Sequence, residues 1–374
     1  MKKSLPILLL LAFLLLALPC AAAETDDAQD QAVALVNGEA LLQSDYASFE
    51  NSYLTTYANA GYDIDEETIR AYVQDLALTA AIEDMLVKQD MTAQGCDIFD
   101  EATEAWLVEQ GTAAYESALA DVGEALRDAL GLADDDDVSP YALSYANTLG
   151  VTAQDYIDVY RTQYATMNYY AWLTADNPVT DEDVQNAYEE RVSSSRALYE
   201  HDAAAFETAV SAGEEIWFKP AGYRSILQIL LPAEGETDEE RLASVQDTVD
   251  EIYTRLEGGE PFEALIAEFG ADSALENEDF PGYQVHRDSV LWEDAFVSAA
   301  FSDEMQQPGD ISRPFSSALG VHILYYLADS ESGPVEMTDS VRDALTYSIY
   351  QERCLARLNE RVDELADSAE VILY

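Results

Sequence analysis

An α+β fold is predicted for this 374-residue chain on three observations. Residues 217–328 alternate short apolar runs with short helical patterns, in the order β-α-α-α-β-β. Most of the chain before them carries helical periodicity. Residues 338–366 form a single long amphipathic repeat, too apolar to stand alone in water, which must pack on another part of the chain.

The first residues read as an export signal, expected to span 1–23. Lys2 and Lys3 supply the positive start, Leu5 to Leu18 the apolar core, and Ala21-Ala22-Ala23 before Glu24 a small-residue cleavage site. The apolar run is short for a membrane span and is followed directly by ETDDAQD. Cys20 offers an alternative, a lipid anchor, although Pro19 stands where such anchors carry a small residue. Either way the chain is expected outside the cytoplasm, secreted or associated with the cell envelope.

A mostly helical module is expected over 24–200. Val33 to Val36 is a short strand, Asn37-Gly38 a turn, and Ser44 or Asp45 a cap for the helix that follows. Glu66 to Gln94 is helical, with Ile69, Tyr72, Val73, Leu76 and Ala80 on one face and Gly95 as its stop. Further helices are expected around 100–130, 140–150 and 152–174. The acidic loop LADDDDVSP lacks the glycine and distal glutamate of a calcium loop. Thr180 caps a helix through Tyr188, and 192–215 reads as an exposed helix or linker.

The texture changes at Trp217. Tyr223 to Leu231 is a β run. Leu242, Val245, Val249, Ile252 and Leu256 step by three and four along one helix closed by Gly258-Gly259. Pro261 opens a second helix. A loop over 270–290 leads to a short helix around Trp292 to Phe301. Strands are expected at Ile311–Phe315 and Gly320–Ala328. The domain is bounded at 217–330, and residues 335–374, with the long helix and an apolar tail, are expected to return to the N-terminal module.

Charge and composition narrow the function. There are 74 acidic against 18 basic residues, a formal net charge of -56, so nucleic acid and anionic membrane surfaces are excluded as partners. A partner steered by charge should be basic. At 48% hydrophobic residues the chain can bury a core. It carries no metalloprotease helix motif, zinc-type cysteine pair, P-loop, dinucleotide glycine fingerprint or GxSxG elbow. With only three histidines a histidine-rich metal site is excluded, and no metal or cofactor is expected. His201 and His286 belong to no motif and are expected at the surface.

His322 stands inside LGVHILYYL, either as a satisfied core histidine or as part of a site. The runs FEALIAEFGAD, VLWEDAFVSAAF and PGDISRPFSSALGVHILYYL, in this order and spacing, resemble the parvulin-type (PpiC) peptidyl-prolyl isomerase domain. VALVNGEALLQSDY followed by helices resembles the N-terminal module of exported SurA- and PrsA-type foldases, and the trailing helix resembles the segment that completes it. The resemblance implies a parvulin-like domain joined to a SurA/PrsA-like helical module.

It also implies a site. His322 falls on the second family histidine and Asp272 on the position that is cysteine or aspartate. Trp292 and Phe296 fall on apolar positions lining a proline pocket, and Phe301, which closes the FxxAAF-like stretch, is expected to bind substrate with them. Gln228 departs, standing where the first strand usually carries histidine. NEDFPGYQV departs from the usual glycine-rich turn. Gln228 can still exchange a hydrogen bond with His322.

Two functions follow from the resemblance. One is an exported foldase that isomerises X-Pro bonds in unfolded or newly exported polypeptides. The other is a chaperone of the same build, weak or inactive as a catalyst because of Gln228. A third, a structural protein on a borrowed fold, predicts no affinity for unfolded chains. Cys96 and Cys354 are either two buried thiols or, if their helices pack together, a disulfide.

Overall fold

The structure is a computed structural model that describes residues 30–133, 136–277 and 280–374. The expected export signal and Cys20 lie outside the described residues. The chain divides into two compact units, Met1–Val179 with Ser348–Tyr374, and Thr180–Tyr347.

The first unit is mostly helical around a small sheet. Strands β1 (Ala32–Val36) and β2 (Glu39–Leu42) are antiparallel. Between them Asn37 and Gly38 both take positive φ, the conformation a tight hairpin turn requires. The helices are α1 (Gln43–Asn59), α2 (Glu67–Ala93), α3 (Glu101–Leu130), α4 (Ser139–Thr148) and α5 (Ala153–Leu173). Neither Ser44 nor Asp45 caps α1. Leu42 takes the cap position, and the Ser44 hydroxyl instead donates to Asp30. Tyr72 is 55% exposed, because the buried stripe of α2 runs through Val73, Ala77 and Ala81. A one-residue shift of the stripe turns the tyrosine outward.

The chain returns to this unit through α12 (Asp339–Ser368), whose Leu358 and Val362 pack with Met91, Cys96, Ala165, Tyr169 and Leu173. Its Arg361 grips buried Asp90 with two hydrogen bonds of 2.8 Å, and Tyr169 Oη donates to the same carboxylate at 2.6 Å. The apolar tail forms strand β9 (Val371–Leu373), antiparallel to β1 in a sheet ordered β2-β1-β9. Residues from Ser348 onward thus belong to this first unit. Cys96 and Cys354 are both buried free thiols, and burial raises the pKa of each.

The second unit begins with α6 (Asp181–Tyr199), capped by Thr180 with Asp183, and α7 (Ala203–Ser211). Residues 192–215 were expected to form an exposed helix or linker. Instead Ser195, Tyr199, Ala203, Glu207 and Ala209 are buried, and the Ser195 hydroxyl accepts the N–H groups of Trp217 and Phe218 at 3.2 and 3.0 Å. The short strands β3 (Phe218–Lys219) and β8 (Gly333–Pro334) pair here.

The central sheet is ordered β5-β4-β7-β6, all antiparallel: β4 (Arg224–Leu231), β5 (Tyr283–Val285), β6 (Phe315–Ser317) and β7 (Gly320–Asp329). Alternation along the strands divides the side chains between two faces. Leu227, Ile229, Leu231, Val321 and Ile323 pack under α9 (Gln246–Glu257) and α10 (Phe262–Phe269). Ile226, Leu324 and Tyr326 face α11 (Asp294–Ala300) with Phe296 and Ala300.

Three details differ from expectation. The helix through Leu242 breaks at Val245 into α8 (Asp238–Ser244) and α9, with the Val245 backbone at φ -119, ψ 10. The expected loop contains β5, which lies against the start of β4. The expected strand at 311–315 is one isolated bridge, Ile311 to Tyr325, and β6 starts only at Phe315. Pro314 has no N–H to offer a ladder, and before it Ser312 donates its N–H to Leu324 O at 3.0 Å and accepts Leu324 N–H on its hydroxyl at 2.9 Å.

Candidate active site

The sheet register explains how the predicted polar residues meet. Leu230 lies opposite His322, and Gln228 opposite Leu324, so Gln228 and His322 are diagonal neighbours on one face. Phe315 of β6 lies directly opposite His322, and Tyr283 of β5 opposite Ile226. Both therefore project from the same face. Asp272 follows α10 and is held near β4 by the hydrogen bond from Ala271 N–H to Leu230 O, 2.9 Å. The 3-10 turn Ser273–Glu276 begins there, its first donors bound by Asp272.

These residues form one continuous chain of hydrogen bonds. Gln228 Nε2 donates to Asp272 Oδ2 at 2.5 Å. Tyr283 Oη donates to the same oxygen at 2.6 Å, and Ala274 N–H donates to Oδ1 at 3.1 Å. His322 Nδ1 lies 2.7 Å from Gln228 Oε1, and His322 Nε2 lies 2.6 Å from Ser317 Oγ. Ser317 Oγ in turn accepts Leu319 N–H at 3.0 Å.

The proton positions follow from donor and acceptor inventory. A carboxylate only accepts, so the amide nitrogen of Gln228 must face Asp272. Its oxygen must then face His322, which places a proton on Nδ1. Neutral imidazole leaves Nε2 as an acceptor, and Ser317 must supply the donor. Gln228 and His322 are 6% and 3% exposed, so this satisfaction matters energetically. Burial holds His322 below the usual histidine range, with the Asp272 charge pulling the other way, which favours the neutral ring. Burial and the hydrogen bond to Asp272 push the Tyr283 phenol up to about 12.

Aromatic rings cover this chain. Phe315 stacks on His322 at 5.0 Å and 14°, and Phe296 meets the same ring edge-on at 6.0 Å. Trp292 stacks on Phe296 at 4.6 Å and 18°, and Tyr283 packs edge-on to Trp292 at 5.1 Å. Trp292 thus covers the face of Phe296, which is buried. Phe301 packs against the same buried cluster as Trp292 and Phe315. The guanidinium carbons of Arg224 and Arg287 lie 4.3 and 4.9 Å from its ring centre.

Sequence reading missed three contributors. Ser317 precedes His322 by five residues across the β6–β7 hairpin, a spacing that signals it only once the hairpin is known. Tyr283 sits in a strand too short to show periodicity. Glu207 lies on α7 and is 3% exposed. It accepts Ser289 Oγ at 2.9 Å and the N–H groups of Val290 and Leu291 at 2.7 and 3.2 Å. It thereby ties down the loop that leads into Trp292. His286, expected at the surface, is half-buried with its ring 5.0 Å from Tyr223, whereas His201 is exposed.

Comparison with known proteins follows the same outline. A foldase protein PrsA of Caldanaerobacter subterraneus subsp. tengcongensis is 29% identical over 136 residues, which is 35% of this chain and 40% of that protein. The match therefore spans well under half of the relative. Among solved structures, one described as a SurA-like chaperone of Campylobacter jejuni superposes at a TM-score of 0.35 with 15% identity, covering 92% of this chain and all of the other. PrsA of Bacillus subtilis gives a TM-score of 0.23 with 15% identity over 91% of this chain and 93% of its own. Both whole-chain superpositions are loose. The PPIC-type PPIase domain model, called rotamase, matches residues 228–328, from Gln228 on β4 to the end of β7. Residues 228–328 of this chain thus resemble a rotamase domain of the PPIC type.

Proposed function

We propose that this protein is a foldase: a peptidyl-prolyl cis-trans isomerase that acts on X-Pro bonds of unfolded or newly exported polypeptides outside the cytoplasm. The observation that carries the reading is the closed chain Ser317–His322–Gln228–Asp272–Tyr283 lying beside the aromatic cluster of Trp292, Phe296 and Phe315. Turning an X-Pro bond passes through a twisted amide, a barrier of about 18–20 kcal/mol, and unaided takes tens to hundreds of seconds. No covalent step is required. The protein need only bind the twisted state better than either planar one. Aromatic rings can hold the proline ring, and fixed dipoles beside it can stabilise the changed charge of the twisted amide.

In this reading His322, Gln228 and Asp272 form the polar side of the site, and Trp292, Phe296 and Phe301 its apolar side. Residues 1–23 serve as the export signal, with a lipid on Cys20 as the alternative route to the envelope. The 24–200 module, the 217–330 domain and the 335–374 return segment act together, the helical part holding the client. Intact mass of the exported protein distinguishes cleavage after Ala23 from lipidation.

One observation favours a second reading, binding of unfolded chains without catalysis. Trp292 lies flat on Phe296 and narrows the place where a proline ring would enter. The deciding experiment is isomerisation of a short X-Pro peptide by the full mature chain, with Asp272→Ala and Gln228→His alongside. Wild-type activity lost in Asp272→Ala supports the isomerase. An inert wild type activated by Gln228→His, still binding unfolded protein, supports the chaperone. Absence of both activities and of binding rejects both.

A further inference from the structure

We propose that a cleft in the helical unit binds a basic side chain, arginine or lysine, presented by an extended apolar segment of a client polypeptide. The inference rests on the polypeptide-binding part of the function above but concerns a site outside the rotamase domain. The cleft has a volume of about 470 Å³ and lies among α1, α2, α5 and α12. Its walls are apolar and aromatic: Phe49, Tyr53, Val87, Met91, Phe99 and Tyr170. A cavity in the range of roughly 300–1,000 Å³ takes a small organic ligand, and therefore more than one side chain.

Its charges are unevenly satisfied. Lys88 pairs with Asp84 at 2.8 Å. Arg161 is held by Asp158 at 2.7 Å and also by Glu104. Asp97 accepts the Thr92 hydroxyl at 2.7 Å. Glu83 is half-buried in the same wall, and among the described residues no hydrogen bond or ion pair reaches its carboxylate. Both cations of the cleft are thus already neutralised, and one carboxylate is left over among aromatic rings.

That combination selects a ligand. A carboxylate drawn out of water without a partner is costly, and a cation placed beside it recovers that cost. Burial, together with the neighbouring Asp363, raises the pKa of Glu83, the sign expected of a carboxylate lacking a counter-charge. Aromatic faces attract a guanidinium or ammonium group, and apolar walls suit its aliphatic stem and an adjacent apolar residue. An anionic ligand would meet Glu83, Asp84 and Asp97 on entry. The net charge of -56 draws basic segments toward the whole surface, but Glu83 supplies a specific seat.

The test uses the full chain and a short labelled leucine–alanine peptide with a single central arginine. A second peptide carries citrulline, which keeps the shape and removes the charge. Fluorescence anisotropy should show the arginine peptide binding at least about tenfold more tightly than the citrulline peptide. Glu83→Gln should erase that difference, with thermal melts confirming an intact fold. Glu352→Gln, which removes the same formal charge at an exposed position of α12, should leave it in place. Equal binding of the two peptides, or equal losses in Glu83→Gln and Glu352→Gln, would overturn the site and point to general electrostatics. Failure of X-Pro isomerisation with this selectivity intact would count against the isomerase alone.

Discussion

Replacing Gln228 by leucine tests the hydrogen-bonded chain most directly. The substitution keeps much of the side-chain bulk and removes two contacts, the 2.5 Å donation to Asp272 and the 2.7 Å acceptance from His322 Nδ1. His322 is 3% exposed, so its Nδ1–H would be left buried without an acceptor, which costs about 1–3 kcal/mol. A change of tautomer lets Nε2–H donate to Ser317 and trims that cost toward its lower end. Asp272 is half-buried and retains Tyr283 and Ala274 N–H as donors, so its share is only about 1 kcal/mol. The sum is a loss of about 2–3 kcal/mol, or roughly 4–12 °C in the melting transition of a unit this size. Urea unfolding followed by tryptophan fluorescence measures it. A double-mutant cycle with Asp272→Ala isolates the 2.5 Å contact and should return a coupling near 1 kcal/mol. A Gln228→Leu protein within about 0.5 kcal/mol of wild type, with no coupling to Asp272, would refute the chain as a structural element.

Other consequences are as direct. Burial depresses the His322 pKa below the roughly 6.5 of an unfolded histidine, so the unfolded chain binds the proton more readily. Stability should therefore fall as pH drops below about 6.5 and stop falling below the depressed value. Subtracting His322→Gln cancels the other histidines, and a difference that grows with acidity in favour of wild type would contradict this sign. Glu207→Ala should free the loop over Ser289–Leu291, cost about 2–4 kcal/mol and shift the emission of Trp292 to the red; unchanged emission against a Trp292→Phe background would show that the loop holds itself. In the helical unit, Asp90→Ala leaves Arg361 and Tyr169 without their acceptor and should cost about 3–5 kcal/mol. The grip of Arg361 lowers the Asp90 pKa to about 2, so this stabilisation is present above about pH 4 and drains as pH falls toward 2, measurable by acid unfolding.

Features whose signal is local were legible in the sequence. The β4 and β7 runs are apolar throughout because both faces of the sheet are covered, and His322 stands out there against its neighbours. Thr180 and the Asn37-Gly38 turn act through their own few residues, and they fold as their residue types dictate. Tertiary context decided the rest. The Ser-, Ala- and Glu-rich stretch 192–215 reads in sequence as an exposed helix or linker. Its burial depends on Trp217 and Phe218 for Ser195 and on a distant loop for Glu207. Strand β5 has three residues and exists only because β4 offers it an edge. Gly282 precedes it at positive φ, packed so closely on Ser225 that any side chain would collide. Tyr72 obeys the helical period yet points outward, because the period fixes the spacing of a stripe and leaves its phase to the packing partner.

Gln228 looked like the departure that decides the site, and the geometry moves the weight elsewhere. A histidine at this position would carry a movable proton. Glutamine does not titrate, and Asp272 fixes which end faces which neighbour. With Gln228 fixed, the Nδ1 proton of neutral His322 and the donor role of Ser317 are fixed as well. The chain therefore keeps one polarity wherever the imidazole is neutral. Isomerisation of an amide moves no proton to the protein, so for the proposed isomerase fixed dipoles beside the aromatic cluster serve as well as a titrating pair would. The greater obstacle is Trp292. Its ring lies on Phe296 at 4.6 Å, and its indole N–H donates to Gln284 O at 3.0 Å, so it is held at both its face and its edge. On the proposed isomerase reading a proline ring would bind on the outer face of Trp292 or displace it, and displacement works against Glu207, which anchors the preceding loop. Access past Trp292, more than the chemistry of Gln228, separates an isomerase from a chaperone on this fold.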